Sequence, residues 1–168
     1  MKILILLFSI FIMGCSNGTI KKTYYNNGKI ESKIQYRDGK KSGKIINYFP
    51  NGKLAVKGIF TDDKRDKKWT FYNEKTGKID SIENYVLGVL QGEQFYYHEN
   101  GKLKVKGYYE NGSVKINYIY KDGMLNGSCK EYHENGQLAI DCIMKNGKLD
   151  GPYKEYSEDG TLLADYVY

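Results

Sequence analysis

Little in this chain has the makings of a reactive centre. Its histidines are His98 and His133, and its cysteines are Cys15, Cys129 and Cys142. Two imidazoles could share a metal or pass a proton, but both stand at one offset, two residues before an Asn-Gly pair. Duplication of a repeat produces such a match without any demand from chemistry. Glu99, Glu134 and Glu158 recur in the same way beside turns, as solvated turn residues do. No Gly-x-Ser-x-Gly, P-loop or His-Glu-x-x-His pattern occurs. The expectation is a protein without catalytic residues, metal or cofactor, and so not an enzyme.

Cys129 and Cys142 leave two outcomes open. If Asn135-Gly136 forms a two-residue turn, Glu134 pairs with Gln137 and Cys129 falls opposite Cys142, within reach of a disulfide in an oxidising compartment. If Gly136 is instead a bulge residue after a three-residue loop, Ser128 faces Cys142 and the thiols point to opposite faces. Tyr132 and Leu138 share a face more naturally in the second register.

The third cysteine ends an N-terminal segment of another kind. Lys2 supplies a positive charge, and Ile3 to Met13 form an apolar run, shorter than the roughly 20 residues a membrane span needs. The run closes on Ile12-Met13-Gly14-Cys15, which resembles the lipobox of bacterial lipoprotein precursors, Met13 being bulkier than that pattern's usual residue. The resemblance implies a signal peptide over residues 1–14, cleavage after Gly14, diacylglycerol on the Cys15 thiol and acylation of the new amine. Acyl chains contribute about 0.8 kcal/mol per buried CH₂, so two or three hold a protein on a bilayer. The expected location is the bacterial cell envelope, in the outer membrane where the cell has one, with residues 15–21 as a tether. Nucleic acid is not an expected partner there, despite a formal charge of +6.

The rest of the chain must supply the architecture. Its 17 Tyr, 19 Gly and only 2 Pro favour short strands joined by turns. Gly28 and Gly52, Gly77 and Gly101, and Gly136 and Gly160 each stand 24 residues apart, with a second turn between them. One residue is inserted near Lys75, and one additional 11-residue step runs from Gly112 to Gly123. A fixed period of this length marks a repeat architecture. The Asn-Gly pairs at 51–52 and 135–136 read as tight hairpin turns, and segments such as Asp38-Gly39-Lys40-Lys41-Ser42-Gly43 as longer ones, so tight and wide hairpins alternate.

Residue columns accompany the turns. Four before the repeat glycine stand Tyr48, Tyr97, Tyr132 and Tyr156; two after it, Leu54, Leu103 and Leu138; eight after it, Phe60, Tyr85 and Tyr109. Even offsets along strands place all three columns on one face. The expected fold is all-β, a single-layer antiparallel β-meander of about thirteen short strands over residues 22–168.

Tyr-x-x-Asn-Gly-x-Leu, as in Tyr97 to Leu103 and Tyr132 to Leu138, followed by Tyr-x-x-Gly-x-x-x-Gly, resembles the MORN-variant repeat of bacterial proteins. The chain departs from it at Asp63 and Lys67, where glycines are replaced. Similar repeats occur in antitoxin or immunity proteins of the YwqK type. The resemblance implies a MORN-like sheet and non-enzymatic binding of a protein partner, a toxin among the candidates. Tyr97, Leu103, Tyr109, Tyr132, Leu138 and Tyr156 are then the expected interaction face, as the columns of other solenoids are. Two other readings stand beside it: a lysine-rich module on a membrane surface, and a structural lipoprotein self-associating through its last strand, Leu162 to Tyr168.

Overall fold

The computed structural model describes residues 18–168; the expected signal peptide, Cys15 and the start of the tether lie outside them. The first strands are β1 (Thr19–Tyr24), β2 (Ile30–Arg37), β3 (Lys40–Tyr48), β4 (Leu54–Thr61), β5 (Lys64–Tyr72), β6 (Ile79–Val86) and β7 (Val89–Leu90). There follow β8 (Gly92–Tyr97), β9 (Leu103–Glu110), β10 (Ser113–Lys121), β11 (Met124–Tyr132), β12 (Leu138–Lys145), β13 (Lys148–Tyr156) and β14 (Leu162–Val167). They form one open antiparallel meander in chain order. Among the described residues no helix is long and apolar enough to cross a membrane.

β7 and β8 share the place of one strand, since both pair with β6 and are interrupted at Gln91. The meander therefore has the expected thirteen places, although it begins at Thr19 and not near Lys22. At the interruption the fully buried Gln94 side chain stands in for backbone. Its Oε1 accepts from the Asn84 N–H at 2.8 Å, and its Nε2 donates to the Asn84 carbonyl at 3.1 Å. A buried amide is thereby satisfied and a lost ladder bond replaced.

The two turn classes are the reverse of the expected assignment. Arg37 pairs with Lys40 across Asp38-Gly39, and Glu110 with Ser113 across Asn111-Gly112, so these loops hold only two residues. Asp38 and Gly39 have φ of 49° and 79°, and Asn111 and Gly112 of 49° and 82°. Two successive positive φ angles make the primed turn whose twist matches that of the strands. In the Tyr-x-x-Asn-Gly loops only the glycine is left-handed, at 91° for Gly52 and 88° for Gly136. The asparagine there closes the loop with its side chain, as where Asn135 Oδ1 accepts from the Gln137 N–H at 2.9 Å.

A β-bulge follows each of these longer loops. Tyr48 opposes Leu54 but Asn47 opposes Val56; Tyr132 opposes Leu138 but Glu131 opposes Ile140. The extra residue breaks the alternation of faces. This corrects the expectation that the Tyr, Leu and second aromatic columns share one face. Tyr97 lies on the face of Phe95, whose partner is Lys106, whereas Tyr109 is an odd number of residues beyond Lys106 and points the other way.

Direct partners share a face, so one row can be followed across the sheet. It runs from Ile46 through Thr70, Phe95 and Tyr118 to Cys129, Cys142 and Tyr166. That side is the cysteine face. Trp69, next to Thr70, points to the opposite side, the tryptophan face. The indole is 2% exposed and lies 4.9 Å from Phe60, 6.3 Å from Phe71 and 6.5 Å from Tyr85, between ring centroids. Its N–H donates to the Ile59 carbonyl at 3.0 Å, and the Arg65 guanidinium covers the ring at 4.7 Å. Gly58 makes room for it, because a Cβ at that position would overlap the indole.

β10 turns the repeat over. Each repeat is two strands, so one additional strand reverses the direction of all that follow. Reversing direction while the sheet keeps growing the same way amounts to a half-turn about the axis of growth, and a half-turn exchanges the faces. Trp69, three residues before Tyr72, is on the tryptophan face; Cys129, three before Tyr132, is on the cysteine face. The loops change ends as well. Lys102, after the Asn100-Gly101 loop, meets Asp122 of a two-residue turn at 2.9 Å. Lys115, after the two-residue turn at Gly112, donates to the His133 carbonyl at 3.1 Å.

Candidate functional site

Cys129 and Cys142 are free thiols, directly opposite and both buried on the cysteine face. Burial, and then the hydrogen bond that it donates to the neighbouring Cys142 thiol, pushes Cys129 up to about 12. Burial likewise carries the Tyr96 phenol to about 12, and it raises Tyr118, whose hydroxyl donates to Glu131. These groups stay neutral at any physiological pH.

The histidines tie neighbouring repeats together. His133 Nε2 is 2.8 Å from the Tyr156 carbonyl and His98 Nε2 3.5 Å from that of Tyr120. Tyr25, at the same repeat position, donates its hydroxyl to the Tyr48 carbonyl at 2.6 Å. A ring at this position thus reaches the next repeat's backbone whether it is imidazole or phenol, which gives both histidines a structural task. Among the described residues no three His, Cys, Asp or Glu side chains converge as a metal site would require.

The six residues expected to form an interaction face are divided between the two sides. Tyr97 and Leu103 oppose each other on the cysteine face. Tyr109, Tyr132, Leu138 and Tyr156 lie on the tryptophan face, as the registers of β9 to β13 require. Two causes act together: the bulge after each longer loop, and the inversion at β10. Among the described residues the last strand, β14, pairs only with β13, and Leu163 and Val167 are 62% and 80% exposed.

A second surface was not foreseen. On the cysteine face of β3–β6 lies a hollow of about 450 Å³ lined by Ile46, Ile59 and Ile79, with Lys44, Lys57 and Lys68 around it. The register places these lysines on one side of the sheet, since Lys44 opposes Ile59 and Lys57 opposes both Ile46 and Thr70. A sequence signal for it exists. Lys44, Lys57 and Lys68 follow one another at 13 and 11 residues, the step of the turns themselves.

Comparison with known proteins agrees with this architecture. The MORN repeat variant model matches residues 17–38, 41–62, 90–111, 125–146 and 149–168. The gap between the second and third matches holds the inserted residue near Lys75, and that between the third and fourth holds β10. No curated protein matches the chain. A solved structure titled "Crystal structure of GtfA/B complex" shares 14% identity at a TM-score of 0.22, over 76% of this chain and 20% of that one. The chain thus spans about a fifth of that protein's length. With five repeat matches over most of its residues, and a meander whose turns recur at the repeat period, the chain belongs to the MORN repeat variant family.

Proposed function

We propose that this chain is a non-enzymatic interaction module of the bacterial cell envelope, held there by acyl chains on Cys15, which binds another protein. The observation that carries the reading is a sheet one layer thick whose apolar side chains stay open to solvent on both faces. Tyr108 on the cysteine face and Ile119 on the tryptophan face are 39% and 37% exposed far from either edge. Such a sheet spends little of its apolar surface on a private core and offers the remainder to partners. The repeat type and the expected anchor together suit an antitoxin or immunity role, in which a tethered module meets a toxin at the membrane.

Crosslinking in the native envelope, followed by recovery of the lipidated protein and of a Cys15→Ser form, tests this. One stoichiometric protein partner supports the reading. Recovery of lipid alone sinks it in favour of a membrane-surface module. Recovery of the protein itself points to self-assembly, which the exposed β14 favours; in that case Val167→Lys abolishes concentration-dependent oligomers.

A further inference from the structure

The second residue before each repeat tyrosine, with its cross-strand partner, differs in charge between the two halves of the molecule, and after the inversion at β10 these positions lie on the tryptophan face instead of the cysteine face. In the C-terminal repeats they alternate in sign, with Lys130 opposite Asp141 at 2.7 Å and Lys154 opposite Asp165 at 3.7 Å. These ion pairs make that surface neutral. In the first repeats the same positions hold Lys22 opposite Lys33, Ile46 opposite Lys57 and Thr70 opposite Ile82. Among the described residues no carboxylate stands in this row, and Lys44 and Lys68 flank it; the nearby Asp66 carboxylate, opposite Ile59, is taken up by the Thr61 hydroxyl and the Leu87 N–H. Among the described residues none of these five lysines lies within ion-pairing distance of an acid. Lys33 and Lys57 rest over the rings of Tyr48 and Tyr72 at 5.4 and 5.6 Å, which leaves their outer sides free. Two lysines directly opposite each other repel, so this row is not arranged for the sheet's own stability.

We infer that the hollow between Lys44, Lys57 and Lys68 is a docking site for an acidic segment of a partner protein, one apolar side chain seated on Ile46, Ile59 and Ile79 with carboxylates on either side. The inference rests on the interaction-module reading and names its surface and the partner's chemistry. A hollow of about 450 Å³ takes a leucine or phenylalanine side chain with room for its flanks. Spacing favours a peptide. Lys33 and Lys57, and likewise Lys44 and Lys68, sit two strands apart, roughly 10 Å at the usual inter-strand distance, which flexible lysine stems extend to the roughly 13 Å between residues four apart in an extended chain. Side chains alternate along an extended segment, so one crossing the strands presents acidic residues at i and i+4 to successive lysines, with the apolar residue at i+2 between them on the same side.

Fluorescence anisotropy on the full chain carrying Cys15→Ser decides it. The probe is a labelled peptide with Glu at i and i+4 around Leu at i+2. The controls are the same peptide with Ser for Leu, and vesicles containing phosphatidylglycerol. Saturable binding is expected to the Leu peptide, weakened about tenfold or more by Lys57→Glu or by Ile59→Ser and unchanged by Lys145→Glu at the far end of the sheet. Circular dichroism of each variant shows that the sheet persists. Equal binding by wild type and Lys57→Glu, equal binding of the Ser peptide, or binding to vesicles alone overturns the inference. A partner protein that still crosslinks to Lys57→Glu leaves the interaction module standing and removes only this site.

Discussion

Cys129 of β11 lies directly opposite Cys142 of β12, and two irregularities make it so. The three-residue loop closed by the left-handed Gly136 moves the register by one residue, and the bulge between Glu131 and Tyr132 moves it back. Tyr132 and Leu138 thus remain partners, and the thiols still meet. Either irregularity alone would place the cysteines on opposite faces.

The buried pair is expected to be slow to react. The thiolate is the nucleophile, and Cys129 is pushed up to about 12 by burial and by the adjacent thiol. In the folded, reduced protein at pH 8, iodoacetamide should label neither cysteine appreciably, and in urea it should label both. Rapid labelling without denaturant would contradict the burial.

Gly58→Ala is expected to be among the most damaging small substitutions. Its Cβ would overlap the indole of Trp69, the chain's sole tryptophan. Forcing the ring away from Phe60 and Tyr85 should cost about 1–3 kcal/mol, as overpacking does. Urea unfolding followed by tryptophan fluorescence reports both the lower midpoint and the altered environment of the ring. An unchanged midpoint and emission maximum would place the indole elsewhere.

Lys67 and Leu87 occupy left-handed conformations, with φ of 59° and 47°. Lys67 stands where equivalent hairpins have Gly43, Gly127 and Gly151, each with φ near 120°. A side chain in this region strains the backbone. Lys67→Gly and Leu87→Asn should each raise stability by about 1 kcal/mol, with the denaturant slope unchanged. Lower midpoints for both variants would show that neither position is strained.

The Asp159 carboxyl is held down at about 2 by the Ser157 hydroxyl and the Thr161 N–H. A folded-state value below the ordinary 3.8 means that ionised Asp159 stabilises the last loop. That contribution is complete above about pH 4 and is lost as pH falls towards 2. Thermal melts between pH 2 and 6 should show a steeper acid loss for wild type than for Asp159→Asn. Parallel curves would assign the acid sensitivity to other carboxylates.

Much of the fold is legible in residue order because each hairpin is local. Gly-containing dipeptides every dozen residues mark the turns, tyrosines and β-branched residues fill the intervals, and nearest-neighbour strands then pair without any long-range choice. Residue order does not separate the turn classes because Asn-Gly serves two loop lengths. Asn111-Gly112 takes two positive φ angles, whereas Asn135-Gly136 takes one, and the dipeptide does not say which. The lysines around Ile59 are legible as a spacing, but not as a site, because their significance lies in having no ion-pair partner among the described residues of neighbouring strands.

Sequence alone determined the all-β class, the period, the thirteen places in the meander and the odd additional step after Gly112. Those follow from residue preferences acting over a few positions. The tertiary structure decided which residues look the same way. A bulge shifts alternation by one residue, and an added strand rotates everything beyond it by half a turn. Both effects accumulate along the sheet, so the face that Tyr132 shares with Tyr109 and not with Tyr97 depends on every register between them.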